Sequence, residues 1–378
     1  MADYGSPGVF IEGGSLAQDT IHGVGTSTVG MLGLTEKGPS EVRLVNSFRE
    51  YCRVYGGYLS DSYLPYAVEG FFLNGGRRCF IGRIEASSDN KLLAKDFTGD
   101  RSAIGKPSGL AAFRGIDEIN IVYVPDVHTL SETEATILTV AIKDHCEQMK
   151  YRFAIFDIGK SQRQASLIEK PVDSSYAAVY YPWLKVTDPL SSLPILIPPG
   201  GHVAGIYVRS DINRGVHKPP ANEVINGVLE PEYLLSNLEG DVLNQKGINT
   251  IRKFPGRGTL VWGARTCTSN PEWKYINVRR LFLYIEESIV EGTQWVVFEP
   301  NNEKLWARVT QAISKFLTTM WRTGALMGLK AEEAFFVRCD RTTMTQDDIV
   351  NGWLVCEVGV APIRPAEFLI VTIRQRTA

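Results

Sequence analysis

Short apolar runs alternate with stretches of helical periodicity through the middle of the chain, the pattern of parallel βαβ units. Val29–Thr35 (VGMLGLT), Arg77–Ile84, Ile119–Val124 (INIVYV), Phe153–Ile158 (FAIFDI) and Ala177–Tyr181 read as strands. Val203–Val208 (VAGIYV) follows them and leads into a helix from Asp211. Between these runs, Tyr63–Asn74 and Ser131–Met149 have helical spacing, the latter with Thr136, Val140, Lys143 and Glu147 facing outward. A short helix starts at Ser47, with Glu50 at the third helical position as in a capping box. Ser87–Arg114 is polar and poorly periodic, which predicts a loop or small insertion. The alternation implies a doubly wound α/β region.

The later chain is less regular. Leu229–Leu243 reads as helix or helical turns, Gly258–Arg265 as strand, and Val278–Gly292 as a helix with Leu281, Ile285, Ser288 and Ile289 in one stripe. Trp295–Phe298 reads as a buried strand stopped by Pro300, and Glu303–Thr323 as a long helix. Ala334–Arg338 and Trp353–Val360 read as strands flanking a helical turn at Thr345–Asn351. Two terminal strands remain. Pro7–Glu12 lies before a Gly-rich stretch, and Glu367–Arg376 (EFLIVTIRQR) is apolar on both faces. Phe368, Ile370 and Thr372 alternate there with Leu369, Val371 and Ile373, so the strand needs cover on both sides. Pro362-Ile363-Arg364-Pro365 precludes a tight hairpin before it. The two strands can close on each other or be donated to neighbouring copies.

Composition narrows the function classes. Of 378 residues, 44% are hydrophobic and 22% charged, as in an ordinary globular protein large enough for two domains. A net charge of −2 argues against general polyanion binding, so no nucleic-acid partner is expected. Six cysteines, Cys52, Cys79, Cys146, Cys267, Cys339 and Cys356, are scattered without a CxxC, the expectation for a reduced cytoplasmic chain. The first residues, MADYGSPGVF, lack the regions of a signal peptide, and no apolar run is long enough to insert into a membrane.

Catalytic patterns are sparse. Asp126 and Asp157 sit at the carboxyl ends of two strands, with His128 beside the first, where α/β folds bind ligands. They could form part of an acid–base site; an Asp that caps its own loop is the plainer reading. There is no P-loop, no GxGxxG after a strand, no GxSxG and no metal-ligand spacing among the histidines. No catalytic, cofactor or metal site is expected, and an α/β enzyme or small-ligand binder using Asp126, His128 and Asp157 is the alternative.

The long helix carries a clearer signal. At about 100° per residue, Lys304, Arg308, Lys315 and Arg322 fall within about 40° of one another. Leu305, Val309, Ala312, Ile313, Phe316 and Met320 form the opposite face. Such a stripe suits an acidic partner, or is the solvated face of an amphipathic helix.

Longer stretches carry a family likeness. PGVFIE (Pro7–Glu12), GVGTSTVGMLGLTEKGP (Gly23–Pro39) and SYLPYAVEGFFLNGGRRCFIGRI (Ser62–Ile84) resemble contractile tail sheath proteins of phage tails and related injection particles. So do VAGIYVRSDINRGVHKPPANEVI (Val203–Ile225), Leu243–Trp306 and the terminal VCEVGVAPIRPAEFLIVTIRQ. The resemblance implies a structural, non-enzymatic subunit that stacks as hexameric rings in a helical sleeve around an inner tube. It also implies baseplate and terminal cap proteins as partners. Assembly would occur in the cytoplasm, and function in a phage tail or a released phage-tail-like particle. By this resemblance Val9, Phe10, Ile11 and Glu12, and Phe368, Leu369, Ile370, Val371, Thr372 and Ile373, are arm strands. They complete sheets in neighbouring subunits. The implied organisation is an arm at 1–20, an α/β outer domain at 21–255 with an insertion-like loop at 87–115, a mixed α/β inner domain at 256–361, and an arm at 362–378. Tube contact through Lys304, Arg308, Lys315 and Arg322 is the accompanying hypothesis.

Overall fold

The structure is a computed structural model that describes residues 20–85, 91–99 and 107–367. These residues form two compact units, one of residues 24–286 and 362–367, the other of 20–23 and 287–361.

The larger unit is built on one sheet. Its first strands are β1 (Thr28–Leu34) and β2 (Arg43–Val45), followed by helices α1 (Phe48–Tyr55) and α2 (Leu64–Leu73) and strand β3 (Arg78–Ile84). Short helices α3 (Ala94–Thr98) and α4 (Gly109–Phe113) precede β4 (Ile121–Tyr123), and α5 (Glu132–Met149) precedes β5 (Phe153–Asp157). Then come β6 (Ala177–Tyr181), the hairpin β7 (Leu184–Thr187) and β8 (Pro194–Ile197), and α6 (Gly200–Arg214). Two short strands, β9 (Glu223–Val224) and β10 (Glu230–Pro231), lead to α7 (Asn237–Gln245) and the hairpin β11 (Ile248–Phe254) and β12 (Gly258–Trp262). Helix α8 (Ile276–Gly292) follows.

The sheet order is β2-β3-β1-β4-β5-β6-β11-β12-β9. From β3 to β11 all neighbours are parallel; β2 at one edge and β12 and β9 at the other are antiparallel. Both faces are buried, which is why these strands read as continuous apolar runs. Val29, Met31, Ile121, Tyr123, Phe153 and Ile155 pack towards α1, α2 and α6. Leu32, Val122, Ala154 and Phe156 pack towards α3, α4, α5 and α7 on the other face. The α/β expectation for this region is met.

Local differences from the sequence reading have physical causes. VAGIYV is not extended but lies inside α6, buried from Gly200 to Val208. Its glycines make this fit: a Cβ on Gly205 would sit 2.3 Å from the Phe71 carbonyl oxygen of α2. From Gly200 to Val208 helix α6 is therefore enclosed on all sides, and this run has no amphipathic period to betray it. The stretch 87–114 is not all loop, because Ala94, Phe97, Leu110 and Phe113 from α3 and α4 enter the core. The helix expected at Leu229–Leu243 begins only at Asn237, capped by Ser236. β11 and β12 pair across residue 255, so the main sheet continues beyond that position.

The smaller unit continues from α8 with α9 (Glu303–Arg322), α10 (Ala331–Ala334), β13 (Phe335–Arg338), α11 (Gln346–Val350) and β14 (Glu357–Val360). β13 and β14 form an antiparallel ribbon, and among the described residues neither of its outer edges is paired. Trp295–Phe298 is not a buried strand. Gln294–Val296 is a 3-10 turn, and Val297 and Phe298 are 59% and 102% exposed. The Trp295 indole folds back on the end of α8, donating from Nε1 to the Gly292 carbonyl at 3.0 Å.

Candidate assembly interface

Asn302 starts α9: its side-chain oxygen accepts from the backbone N–H groups of Lys304 (3.0 Å) and Leu305 (3.1 Å). The helix then buries Leu305, Trp306, Val309, Ala312, Ile313, Phe316, Leu317 and Met320 on one face. Lys304, Arg308, Lys315 and Arg322 are all exposed on the other. They are not equivalent. Arg308 lies 4.4 Å over the Trp295 ring and 3.2 Å from Glu299. Among the described residues no carboxylate lies within ion-pair distance of Lys304, Lys315 or Arg322. The stripe is thus three open cations and one already engaged.

The root of the carboxyl-terminal segment belongs to the larger unit and is clasped there. Glu367 takes two hydrogen bonds from Arg265, Nε and Nη2 each at 2.8 Å, with Lys274 Nζ and Tyr275 Oη at 3.2 Å. Two residues before the second proline, the Ile363 carbonyl accepts from Asn277 Nδ2 at 3.1 Å. Burial alone would raise the Glu367 carboxyl, but the hydrogen bonds and charges of Arg265 and Lys274 outweigh it and hold the group below its ordinary value. The clasp is therefore charged at neutral pH and weakens only in acid. The stiff Pro362–Pro365 segment is thus pinned at Ile363, and again just beyond it at Glu367. The arm strands Val9–Glu12 and Phe368–Ile373 lie outside the described residues.

Of Asp126, His128 and Asp157, the last two lie within 3.9 Å of each other, and the Asp126 side chain is held by other partners, all three being enclosed. Asp126 accepts from Leu34 N (2.7 Å), Tyr63 N (2.6 Å) and Ser62 Oγ (2.9 Å). It thereby fills the gap at the carboxyl ends of β1 and β4, where the order of connections reverses and an open α/β sheet would admit a ligand. Gly33 leaves room for it, since a Cβ there would meet Asp126 Oδ2 at 2.5 Å. Burial raises Asp126 to about 6 and Asp157, which accepts from Tyr123 Oη at 2.6 Å, to about 7. Burial lowers His128 to about 4, so it is neutral 3.9 Å from Asp157, edge-on to Trp183. These shifts come from desolvation, and the Asp126 side chain does not cap its own loop but braces residues 34, 62 and 63, far from it in sequence. Among the described residues no group of His, Cys, Asp or Glu could hold a metal ion, and no helix is long and apolar enough to cross a membrane.

One buried ion pair escaped the sequence reading. Arg280 of α8 grips Asp211 of α6 with two bonds, at 2.9 and 2.6 Å, and also donates to the Thr26 carbonyl at 2.9 Å. Both side chains are under 5% exposed. Only the placement of α6 as a helix beside α8 brings them together, and no spacing rule connects residues so far apart.

Known proteins match this chain over nearly its whole length. Residues 102–267 match the phage tail sheath protein central domain, and residues 268–376 the phage tail sheath C-terminal domain. The chain is similar to the helical sheath of the anti-feeding prophage in its contracted state, at TM-score 0.82 and 33% identity, covering 99% of this chain and 100% of that one. It is likewise similar to the PVC sheath of an extracellular contractile injection system in the contracted state, at TM-score 0.80 and 31% identity, covering 100% and 99%. The tail sheath protein of Salmonella phage ViI is 24% identical over 66% of this chain, and the match spans only 43% of that protein's length. With both sheath domains matched in sequence and the fold shared end to end, the chain belongs to the contractile tail sheath family.

Proposed function

We propose that this chain is a sheath subunit whose copies polymerise as stacked hexameric rings in a helical sleeve around an inner tube. The sleeve contracts and drives the tube through a target envelope. The observation that carries this reading is the end-to-end likeness to two sheaths in the contracted state, at 33% and 31% identity. The role is structural, not enzymatic, and the enclosed Asp126 supports that. Baseplate and terminal cap proteins are the further partners, with neither nucleic acid nor membrane insertion involved. Assembly takes place in the cytoplasm, and the particle is a phage tail or a released phage-tail-like injector.

Within this reading the smaller unit is the inner, mesh-forming domain. A ribbon of two strands is marginal alone, and its open edges suit strand addition, where main-chain bonds supply affinity. Val9–Glu12 and Phe368–Ile373 are the donated strands. Glu367 fixes where the second arm leaves its own subunit. Lys304, Lys315 and Arg322 meet acidic positions on the tube, with Arg308 steadied by Glu299. Such exposed pairs are worth about 0–1 kcal/mol each, so they can be broken when the sleeve fires.

The test is to express the chain with its tube protein and image the product by negative stain. Tubes enclosed by sleeves are the expected result; discrete monomers or dimers in the presence of tubes would contradict it. Changing Lys304, Lys315 and Arg322 together to Glu should leave the subunit folded and remove extended sleeves from tubes. Normal sleeves on tubes would remove the tube-contact assignment while leaving polymerisation intact.

A further inference from the structure

Cys339 and Cys356 are far apart in sequence, yet the ribbon brings them face to face. β13 and β14 pair Arg338 with Glu357, and the next step along the same register sets Cys339 opposite Cys356. The ladder fixes the kind of pair. Ala361 donates to the Ala334 carbonyl at 2.8 Å, so 334 and 361 form a hydrogen-bonded pair. Strict alternation then makes 339 and 356 a non-hydrogen-bonded pair. Across such a pair the Cα atoms are about 4.5 Å apart. That lies within the span of about 4.4–6.8 Å that a disulfide bridges. Both cysteines are free thiols in the structure, Cys339 buried and Cys356 half-buried.

We propose that Cys339 and Cys356 are a redox-responsive pair that closes into a cross-strand disulfide and staples the β13–β14 ribbon. Their protonation supports an order of events. The two facing thiols influence each other, which holds the Cys356 thiol below its ordinary value while pushing Cys339 up. Of the six cysteines only Cys356 is lowered; burial raises Cys79, Cys146 and Cys267, which are fully enclosed. The reactive thiolate is therefore also the one within reach of solvent.

The oxidant is a small-molecule disulfide. The Cys356 thiolate attacks one of its sulfurs, forming a mixed disulfide and expelling one thiolate. Cys339 then loses its proton and attacks Cys356 Sγ, closing the protein disulfide and expelling the second thiol. Two protein thiols are oxidised and one external disulfide is reduced to two thiols. The staple closes the loop that carries α11, and it links the strands just where the ladder ends. In a reducing cytoplasm the pair stays open; in an oxidising medium it closes and holds the ribbon together.

The test uses the purified full-length chain, incubated undenatured with oxidised glutathione, blocked by alkylation and digested without reduction. The expected product is a peptide pair joined through Cys339 and Cys356, lighter by two hydrogen atoms, with Cys79, Cys146 and Cys267 alkylated only after denaturation. C339S should accumulate glutathione on Cys356, and C356S should leave Cys339 unmodified. Wild-type protein that retains glutathione on Cys356 beside a free Cys339 would overturn the proposal, as would a bridge between two chains instead of within one. The wild-type experiment decides the matter even if a variant misfolds.

Discussion

The sheet-bearing unit and the unit around α9 handle their apolar residues in opposite ways. In the first, nearly every large apolar side chain of the central strands is enclosed, and helices cover both faces of the sheet. In the second, α9 buries one face well, but Phe298, Leu329 and Trp353 are 102%, 92% and 64% exposed, and among the described residues the ribbon's outer edges are unpaired. Open strand edges beside exposed aromatic residues are a liability in a monomer and a resource in a polymer. The contrast teaches where the sheet-bearing unit and the unit around α9 differ: the main sheet is enclosed on both faces, and the β13–β14 ribbon is not.

The sharpest way to break the comparison is to attack the sheet-bearing unit from inside. Arg280→Ala leaves Asp211 buried without its partner and should cost about 3–5 kcal/mol, read as a lower denaturant midpoint of the isolated subunit. An unchanged midpoint would show that this unit does not depend on its own core contacts. Leu317→Ala, a fully buried position of α9, should cost about 2–5 kcal/mol. Limited proteolysis should locate that loss in residues 287–361 while the sheet unit stays protected; joint unfolding of both would erase the distinction. A smaller effect follows from Asp157. Its folded carboxyl titrates at about 7 against an ordinary 3.8, so its stability is fully present below about 3.8 and is lost as pH rises through about 7. Asp157→Asn, which still accepts from Tyr123, should be neutral at pH 4 and stabilising at pH 8, measured by denaturation at each pH.

Legibility in the sequence did not follow this division. The strands β1, β4, β5 and β6 were plain because both faces are buried and every residue must be apolar. The amphipathic α9 was equally plain, with its buried face recovered apart from Trp306 and Leu317. What failed were elements whose period is erased by context. Helix α6 is buried all round from Gly200 to Val208, and α3 and α4 are too short to show a period. Trp295–Phe298 looked buried by composition, yet Val297 and Phe298 are exposed. The Glu367 clasp, the Arg280–Asp211 pair and the Cys339–Cys356 pair depend on topology, since their members meet only after the sheet and the ribbon have formed.

The most direct measurement removes residues 368–378 while keeping Glu367 and its clasp. The account predicts a subunit with an unchanged unfolding midpoint that no longer forms sleeves around tubes. Global destabilisation of the truncated chain, or sleeves of normal length and number, would contradict it.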